Sequence, residues 1–121
     1  DKRVLRALLA DFERYLNTEL NLFVKDNKQI FPVAKDHKDR HGRGIDFLGY
    51  VFYHNETRLR KRIKQNFCRK VAKLRKRKKP IGEAQFMQAV AAWWGWAKHS
   101  DSEYFINKLN KISPYEIKFK R

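Results

Sequence analysis

Residues 58–79, RLRKRIKQNFCRKVAKLRKRKK, are the most strongly patterned part of the sequence. It holds 13 Lys and Arg side chains and no carboxylate. Five apolar residues recur in it at steps of four, four, four and three: Leu59, Ile63, Phe67, Val71 and Leu74. This spacing places them on one stripe of an α-helix. The stretch therefore predicts a helix that packs against a core through one face and presents cations on the others.

The positive charge of the chain is concentrated in that predicted helix. The 121 residues carry 29 Lys and Arg against 13 Asp and Glu, a formal net charge of +16. Outside residues 58–79, the remaining 99 residues hold 16 basic and 13 acidic side chains. Like charges four residues apart, such as Arg60 and Lys64, destabilise an isolated helix by a few tenths of a kcal/mol. A nucleic-acid phosphate backbone is the counter-charge that this pattern favours.

Two other interpretations of the basic helix are a solvated face and a helix that lies on a membrane surface. A membrane-surface helix carries a broad apolar face, often with Trp. The stripe in residues 58–79 is one residue wide per turn and contains no Trp. The sequence therefore predicts no membrane partner.

The overall composition excludes several classes of protein. Apolar residues make up 42% of the chain and aromatic residues 14%, more than a disordered basic tail contains. The single cysteine, Cys68, rules out a disulfide framework and a four-thiolate zinc site. The sequence has no apolar run of the ~18 residues that span a bilayer, and its first residues do not resemble a signal peptide. We expect a folded, cytoplasmic protein that binds a polyanion.

Hydrophobic spacing before the basic stretch predicts a helix and a small sheet. The helix covers residues 2–20, and short strands are predicted at 22–24 and 29–33. Residues 45–53, IDFLGYVFY, give the strongest strand prediction and are apolar on both faces. Gly49 within this strand allows a neighbouring group to approach the backbone closely.

Three helices are predicted from the basic stretch onward. Pro80 ends the basic helix, and a largely apolar helix follows over residues 83–98. Ser100 and Glu103 match a capping box that opens a short fourth helix, and residues 115–121 alternate like a final strand. The predicted fold class is therefore α+β, a helix plus a small antiparallel sheet followed by a three-helix bundle.

Residues that suggest catalytic chemistry have simpler explanations. His37 and His41 are four residues apart in the polar loop 36–44, but no helix fixes that spacing and no Cys joins them, so a solvated loop is favoured over a metal site. Ser100 beside His99 is explained by helix capping. We find no P-loop, dinucleotide fingerprint or pair of carboxylates placed for metal chemistry, and predict no metal ligands and no catalytic residues in this chain.

A resemblance to a known family is carried by residues 44–51, GIDFLGYV, followed by residues 57–62, TRLRKR. They resemble reverse transcriptases (RNA-directed DNA polymerases) of bacterial retroelements, most of all those of diversity-generating retroelements and then those of group II introns. Residues 95–100, GWAKHS, are similar to the thumb motif of the same enzymes. The resemblance covers about residues 2–112. It implies that residues 1–54 are the C-terminal part of a palm and residues 55–121 a helical thumb.

The resemblance also implies roles for individual residues. Phe47, Leu48, Gly49 and Tyr50 would form the primer grip, which holds the primer 3′ end. Lys28 matches the palm lysine near the triphosphate, although a surface lysine explains it equally well. The residues expected to track the template–primer backbone are Arg58, Arg60, Lys61, Arg62, Lys64, Arg69 and Lys73. A buried strand and a solvated helix are the alternatives to these roles.

The catalytic aspartates of the family, including the Tyr-x-Asp-Asp motif, are missing from this sequence. The resemblance implies that the rest of the palm supplies the Mg²⁺ ions of the complete polymerase, that the rest of the palm and the fingers are partners of this chain, and that this chain alone is inactive. The expected partner is an RNA, DNA or RNA–DNA template–primer duplex. Two other hypotheses are a stand-alone basic RNA- or DNA-binding accessory module and an interaction domain that docks a partner through Trp93, Trp94 and Trp96.

Overall fold

The computed structural model describes residues 1–118 and confirms the predicted α+β class. It contains four helices and one three-stranded antiparallel sheet with strand order β1-β2-β3. The helices are α1 (Lys2–Glu19), α2 (Lys61–Arg75), α3 (Glu83–Ala97) and α4 (Glu103–Asn110). The strands are β1 (Ile45–Phe47), β2 (Tyr50–Phe52) and β3 (Thr57–Leu59). The four helices match the predicted ones to within a few residues.

The long strand predicted over residues 45–53 is in fact a tight hairpin. β1 pairs antiparallel with β2, and Phe47 lies opposite Tyr50. The two residues between them, Leu48 and Gly49, both have positive φ, 48° and 86°. Such a turn matches the right-handed twist of the flanking strands. The apolar run concealed it because its first turn residue is Leu rather than Asn or Asp.

The basic helix also begins later than the apolar spacing of residues 58–79 predicted. Residues 57–59 form β3, in which Leu59 pairs with Tyr50 of β2. Arg60 is the N-cap of α2, and its N–H donates to the carbonyl oxygen of Gly49 at 2.9 Å. Leu59 is nevertheless buried, so it joins the same core as the helical stripe.

Three smaller predictions are wrong. Residues 22–24 and 29–33 form no strand, and this region contributes one parallel bridge between Val33 and Arg43. The N-cap of α4 is Ser102, and neither Ser100 nor Ser102 makes the predicted side-chain cap. Residues 115–118 are not a strand, although Asn110 makes two hydrogen bonds to the backbone of Ile117 and holds it in the core. The rest of the predicted final strand, residues 119–121, lies outside the described residues.

The core is built mainly by α2, α3 and α4. Its buried residues are Leu59, Phe67, Val71, Leu74, Phe86, Val90, Ala97, Ile106, Leu109 and Ile117. The predicted stripe of the basic helix supplies four of them, and its fifth member, Ile63, packs against them half-buried. The hairpin adds Tyr50, which packs on the same cluster. This core fixes which face of α2 meets water.

Helix α1 lies outside this core. It has no buried residue, and Phe12 is 58% exposed. Its apolar face borders a groove of about 660 Å³ that is lined on the other side by residues such as Phe31 and Ile45. Within residues 1–118, no helix has the length and apolar character needed to cross a bilayer.

Truncating one phenylalanine in the core and one on the α1 face will show how differently the two regions contribute to the free energy of unfolding. Phe86→Ala is expected to lower the free energy of unfolding by about 3–5 kcal/mol, because it removes a fully buried ring. Phe12→Ala should lower it by about 1 kcal/mol or less, because more than half of that side chain is already in water. Chemical denaturation measures both. Equal losses would contradict the exposed position of the α1 face.

Candidate nucleic-acid interface

A row of exposed side chains runs along the face of α2 opposite the core. It follows the helical steps of four, three, four and three through Arg62, Asn66, Arg69, Lys73 and Lys76. We call its four cations, Arg62, Arg69, Lys73 and Lys76, the outer row. Phe67 and Val71 on the opposite face are fully buried and hold the helix in this rotation. The outer row therefore faces solvent because of packing on the other side of the helix.

The charge of the outer row is not neutralised by neighbouring carboxylates. Among residues 1–118, no Asp or Glu oxygen lies within 4.0 Å of an outer-row nitrogen, since every ion pair found there involves other cations. Exposed cations spaced one turn apart repel one another. An external anion that binds along the row would relieve this repulsion.

The other predicted nucleic-acid-binding residues have different surroundings. Arg58 lies 3.9 Å from Glu56, and Arg60 donates to Asp46 on β1 from both Nε (2.8 Å) and Nη2 (2.5 Å). These pairs attach the start of α2 to the sheet. Lys64 is half-buried; burial lowers the pKa of its ammonium group, and the nearby Arg58 lowers it further.

Lys61 is exposed on the flank of the helix. The structure thus places the seven predicted nucleic-acid-binding residues in two groups. Three of them, Arg62, Arg69 and Lys73, lie in the outer row. The remaining four lie in the first turn of α2 or just before it, and two of those are paired with carboxylates.

The predicted primer-grip residues form the tip of the β1–β2 hairpin. Phe47 and Leu48 are 59% and 68% exposed, whereas Gly49 is buried. A Cβ atom at Gly49 would lie 2.5 Å from Trp96 Cζ3 and 2.7 Å from Ile63 Cδ1, so a side chain is excluded there. The close approach predicted for Gly49 is therefore present. Its partners are α2 and α3 of this chain.

Tyr50 binds the other side of the tip to α3. Its hydroxyl donates to the carbonyl oxygen of Trp96 at 3.0 Å, and the two rings lie 5.3 Å apart. Burial raises the pKa of the Tyr50 hydroxyl, so this group stays protonated and remains a donor. The exposed tip is thus held rigidly against the helices.

A shallow recess of about 500 Å³ lies beside the tip. It is lined by Leu48, Tyr50, Ala92, Gly95 and Trp96. Among the described residues, apart from the two chain neighbours of Gly95 and the backbone of α3 itself, no atom lies within 4 Å of a Cβ built on Gly95, so this glycine opens onto the recess.

The three tryptophans of α3 do not form one docking surface. The Trp93 ring stacks on the buried Phe67, with centroids 6.3 Å apart. Trp94 also packs against the core and is half-buried. Trp96 is the most exposed of the three, at 38%, and its ring helps line the recess.

Two other sequence candidates are occupied by contacts within the chain. The Lys28 ammonium group pairs with the Glu13 carboxylate at the edge of the α1 groove. His37 Nδ1 lies 2.6 Å from Glu56 Oε1. In the part of the chain that the structure describes, no three His, Cys, Asp or Glu side chains are grouped so as to hold a metal ion.

Sequence reasoning missed two features of this surface. Lys76 belongs to the outer row, and the regular steps of four and three residues would have found it. The sequence contains no comparable pattern that predicts the strained turn at Leu48, because the positive φ of this residue follows from the hairpin register.

Comparisons of this chain with protein-family models, with curated proteins and with solved structures found no match.

Replacing Leu48 will test the strain at the tip. Leu48→Asn is expected to raise the free energy of unfolding by about 1 kcal/mol, because Asn accepts a positive φ that costs Leu roughly 1–2 kcal/mol. Leu48→Ala is the matched control, since it removes the exposed side chain but keeps a residue that disfavours this φ. Chemical denaturation of the three proteins gives the comparison. Equal stabilities for the Asn and Ala variants would contradict the strained turn.

Proposed function

We propose that this chain clamps a nucleic-acid duplex, as the C-terminal palm and thumb portion of a retroelement reverse transcriptase. The single observation that carries the proposal is the outer row, whose four cations face solvent without a carboxylate partner among the described residues. A buried core holds them in place from the opposite face of α2.

The length of the outer row suits the backbone of a duplex. Arg62 and Lys76 are 14 residues apart, which corresponds to about 21 Å along a helix. Phosphates of one strand of DNA are spaced about 3.4 Å apart along the duplex axis, so the row spans about six base steps. Lys and Arg contacts to phosphates carry no sequence information. The clamp therefore accepts any sequence.

The hairpin tip supplies the second contact, with the end of the primer strand. Gly49 is wedged between Trp96 and Ile63, and Ile63 follows directly after Arg62. The tip therefore packs on the core side of the first turn of α2, and the outer row begins on the opposite side of that same turn. A duplex that lies along the row and extends past the start of α2 would bring one strand end towards the exposed side chains of Phe47 and Leu48. This arrangement supports the primer-grip role that the resemblance implies.

The contribution of this chain to the reaction is the position of the duplex. In a complete polymerase, Mg²⁺ held by the palm carboxylates stabilises the charge of the transferring phosphate. The outer row would hold the backbone, and the rigid tip would fix the primer end relative to that centre. A stand-alone basic module would use the same outer row, and a Tyr-x-Asp-Asp motif encoded upstream of Asp1 would favour the polymerase.

Neutralising the outer row will test the clamp. The triple variant Arg62→Gln, Arg69→Gln, Lys76→Gln is expected to weaken duplex binding. It should also reduce the slope of log K against log salt by up to ~0.9 for each lost phosphate contact. Lys73 is left in place because it also lines a second recess, with Lys70 and Arg77. Fluorescence anisotropy at a series of salt concentrations measures both quantities.

The matched control removes the same charge elsewhere. Lys25→Gln, Lys38→Gln, Lys111→Gln changes three exposed cations that lie outside α2 and in none of the ion pairs above. It should keep the wild-type slope, because a general loss of charge does not remove specific phosphate contacts. Equal losses in the two triple variants would show that net charge alone drives binding and would overturn the clamp.

Primer extension gives a separate test. The purified chain is expected to bind a labelled template–primer but to incorporate no nucleotide with either Mg²⁺ or Mn²⁺, because it lacks the catalytic motifs of the family. Denaturing gel electrophoresis of the primer checks this, with an active reverse transcriptase as the positive control. Primer extension by the pure chain would refute the proposal that this chain only positions the duplex.

A further inference from the structure

A second cationic feature lies beside the outer row, on the side of α2 that faces α3. It is a recess of about 300 Å³ lined by Lys70, Lys73, Leu74 and Arg77. The three cations come from about two helical turns of chain, residues 70–77, and Leu74, which is buried, forms the apolar part of the lining. We call this feature the cationic recess.

The cations of the recess are held in place by the fold. The Lys70 ammonium group lies over the Trp93 ring, 5.8 Å from its centre, and the Lys70 side chain is half-buried. Trp93 is itself stacked on the buried Phe67. The Arg77 N–H donates to the carbonyl oxygen of Leu74 at 3.4 Å, which ties the chain after α2 to the recess. The fold thus positions the Lys70 side chain and the backbone at Arg77, whose side chain is exposed at the edge of the recess.

Among residues 1–118, no carboxylate pairs with Lys70, Lys73 or Arg77. The lining contains no carboxylate, and the ion pairs found within residues 1–118 include neither Lys70 nor Arg77. Three positive groups that converge on one concave surface favour an anion there. Arg presents a planar fork that suits phosphate oxygens, and Lys adds a mobile point charge. The recess lies at the lower limit of ligand-pocket volumes, about 300 Å³, so it suits a small group.

We propose that the cationic recess binds a single phosphate group through Lys70, Lys73 and Arg77. This inference deepens the proposed function and rests on it for the source of the phosphate. Lys73 belongs both to the recess and to the outer row, so a strand that follows the row would place one backbone phosphate in the recess. A free phosphate or polyphosphate has the same chemistry and is the other source.

The first experiment measures the phosphate directly. The melting temperature of the full chain is expected to rise with inorganic tripolyphosphate, compared with sodium chloride at the same ionic strength, because a ligand that binds the folded state stabilises it. The double variant Lys70→Met, Arg77→Met should lose most of this rise. Met keeps an unbranched apolar stem of similar length against Trp93 and removes the charge. The control Arg75→Met, Lys78→Met removes two cations from the same stretch outside the recess and should keep the rise.

The second experiment identifies the source. If the source is a nucleic-acid backbone, the Lys70→Met, Arg77→Met variant also binds duplex more weakly than the wild type. Its slope of log K against log salt then falls by up to ~0.9 for the lost phosphate contact. In the wild type, tripolyphosphate then competes with duplex for binding. If the variant loses stabilisation by tripolyphosphate but keeps the wild-type slope, the recess binds free phosphate. If tripolyphosphate stabilises the recess variant as much as the wild type and the slope is unchanged, the recess site is refuted.

Failure of the recess site and failure of the clamp can be told apart. The outer-row triple variant keeps Lys70, Lys73 and Arg77, so stabilisation by tripolyphosphate should survive in it. If the outer-row variant binds duplex as tightly as the wild type, the clamp is refuted. The recess site still stands in that case if tripolyphosphate raises the melting temperature of the wild type and not that of the Lys70→Met, Arg77→Met variant.

Discussion

The apolar stripe of α2 packs against α3 and α4, and this packing sets the positions of the hairpin and of the cations on α2. Phe67 and Val71 are completely buried, and burial of such side chains contributes about 1.5–3 kcal/mol each. This packing fixes the rotation of α2, because the helix cannot turn without exposing the stripe. The cations on its outer face are therefore kept in one direction although they repel one another.

The same packing determines where the hairpin lies. Gly49 fits between Ile63 of α2 and Trp96 of α3, with no room for a Cβ atom. Tyr50 adds a hydrogen bond to the Trp96 backbone and joins the core cluster. Arg60 and Asp46 pair across the junction between the sheet and α2. The hairpin tip is consequently a fixed extension of the helical core, and its exposed Phe47 and Leu48 keep a constant position relative to the outer row.

The sequence predicted the helices of this fold better than its strands. The spacing of apolar residues in α2 matches the face that packs in the structure, and similar spacing predicted the order of the four helices. The run of residues 45–53 was taken for one strand because every residue except Asp46 and Gly49 is apolar. A two-residue turn at Leu48 and Gly49 carries no strong local signal when its first residue is Leu. For the candidate site, the basic segment was evident, but the pairing of Arg60 with Asp46 depends on contacts between distant parts of the chain.

An amphipathic basic helix, and a 22-residue segment around it that carries most of the excess charge, can be recognised in the sequence alone. Both properties are local, since they depend on residue type and spacing within residues 58–79. Which cations are available to a partner depends on the fold. Arg58 and Arg60 lie near carboxylates, Arg62 and Arg69 face solvent, and Lys70 lies over Trp93 of α3. That division depends on which neighbours the fold brings to each side chain, and a charge count along the chain does not contain this information.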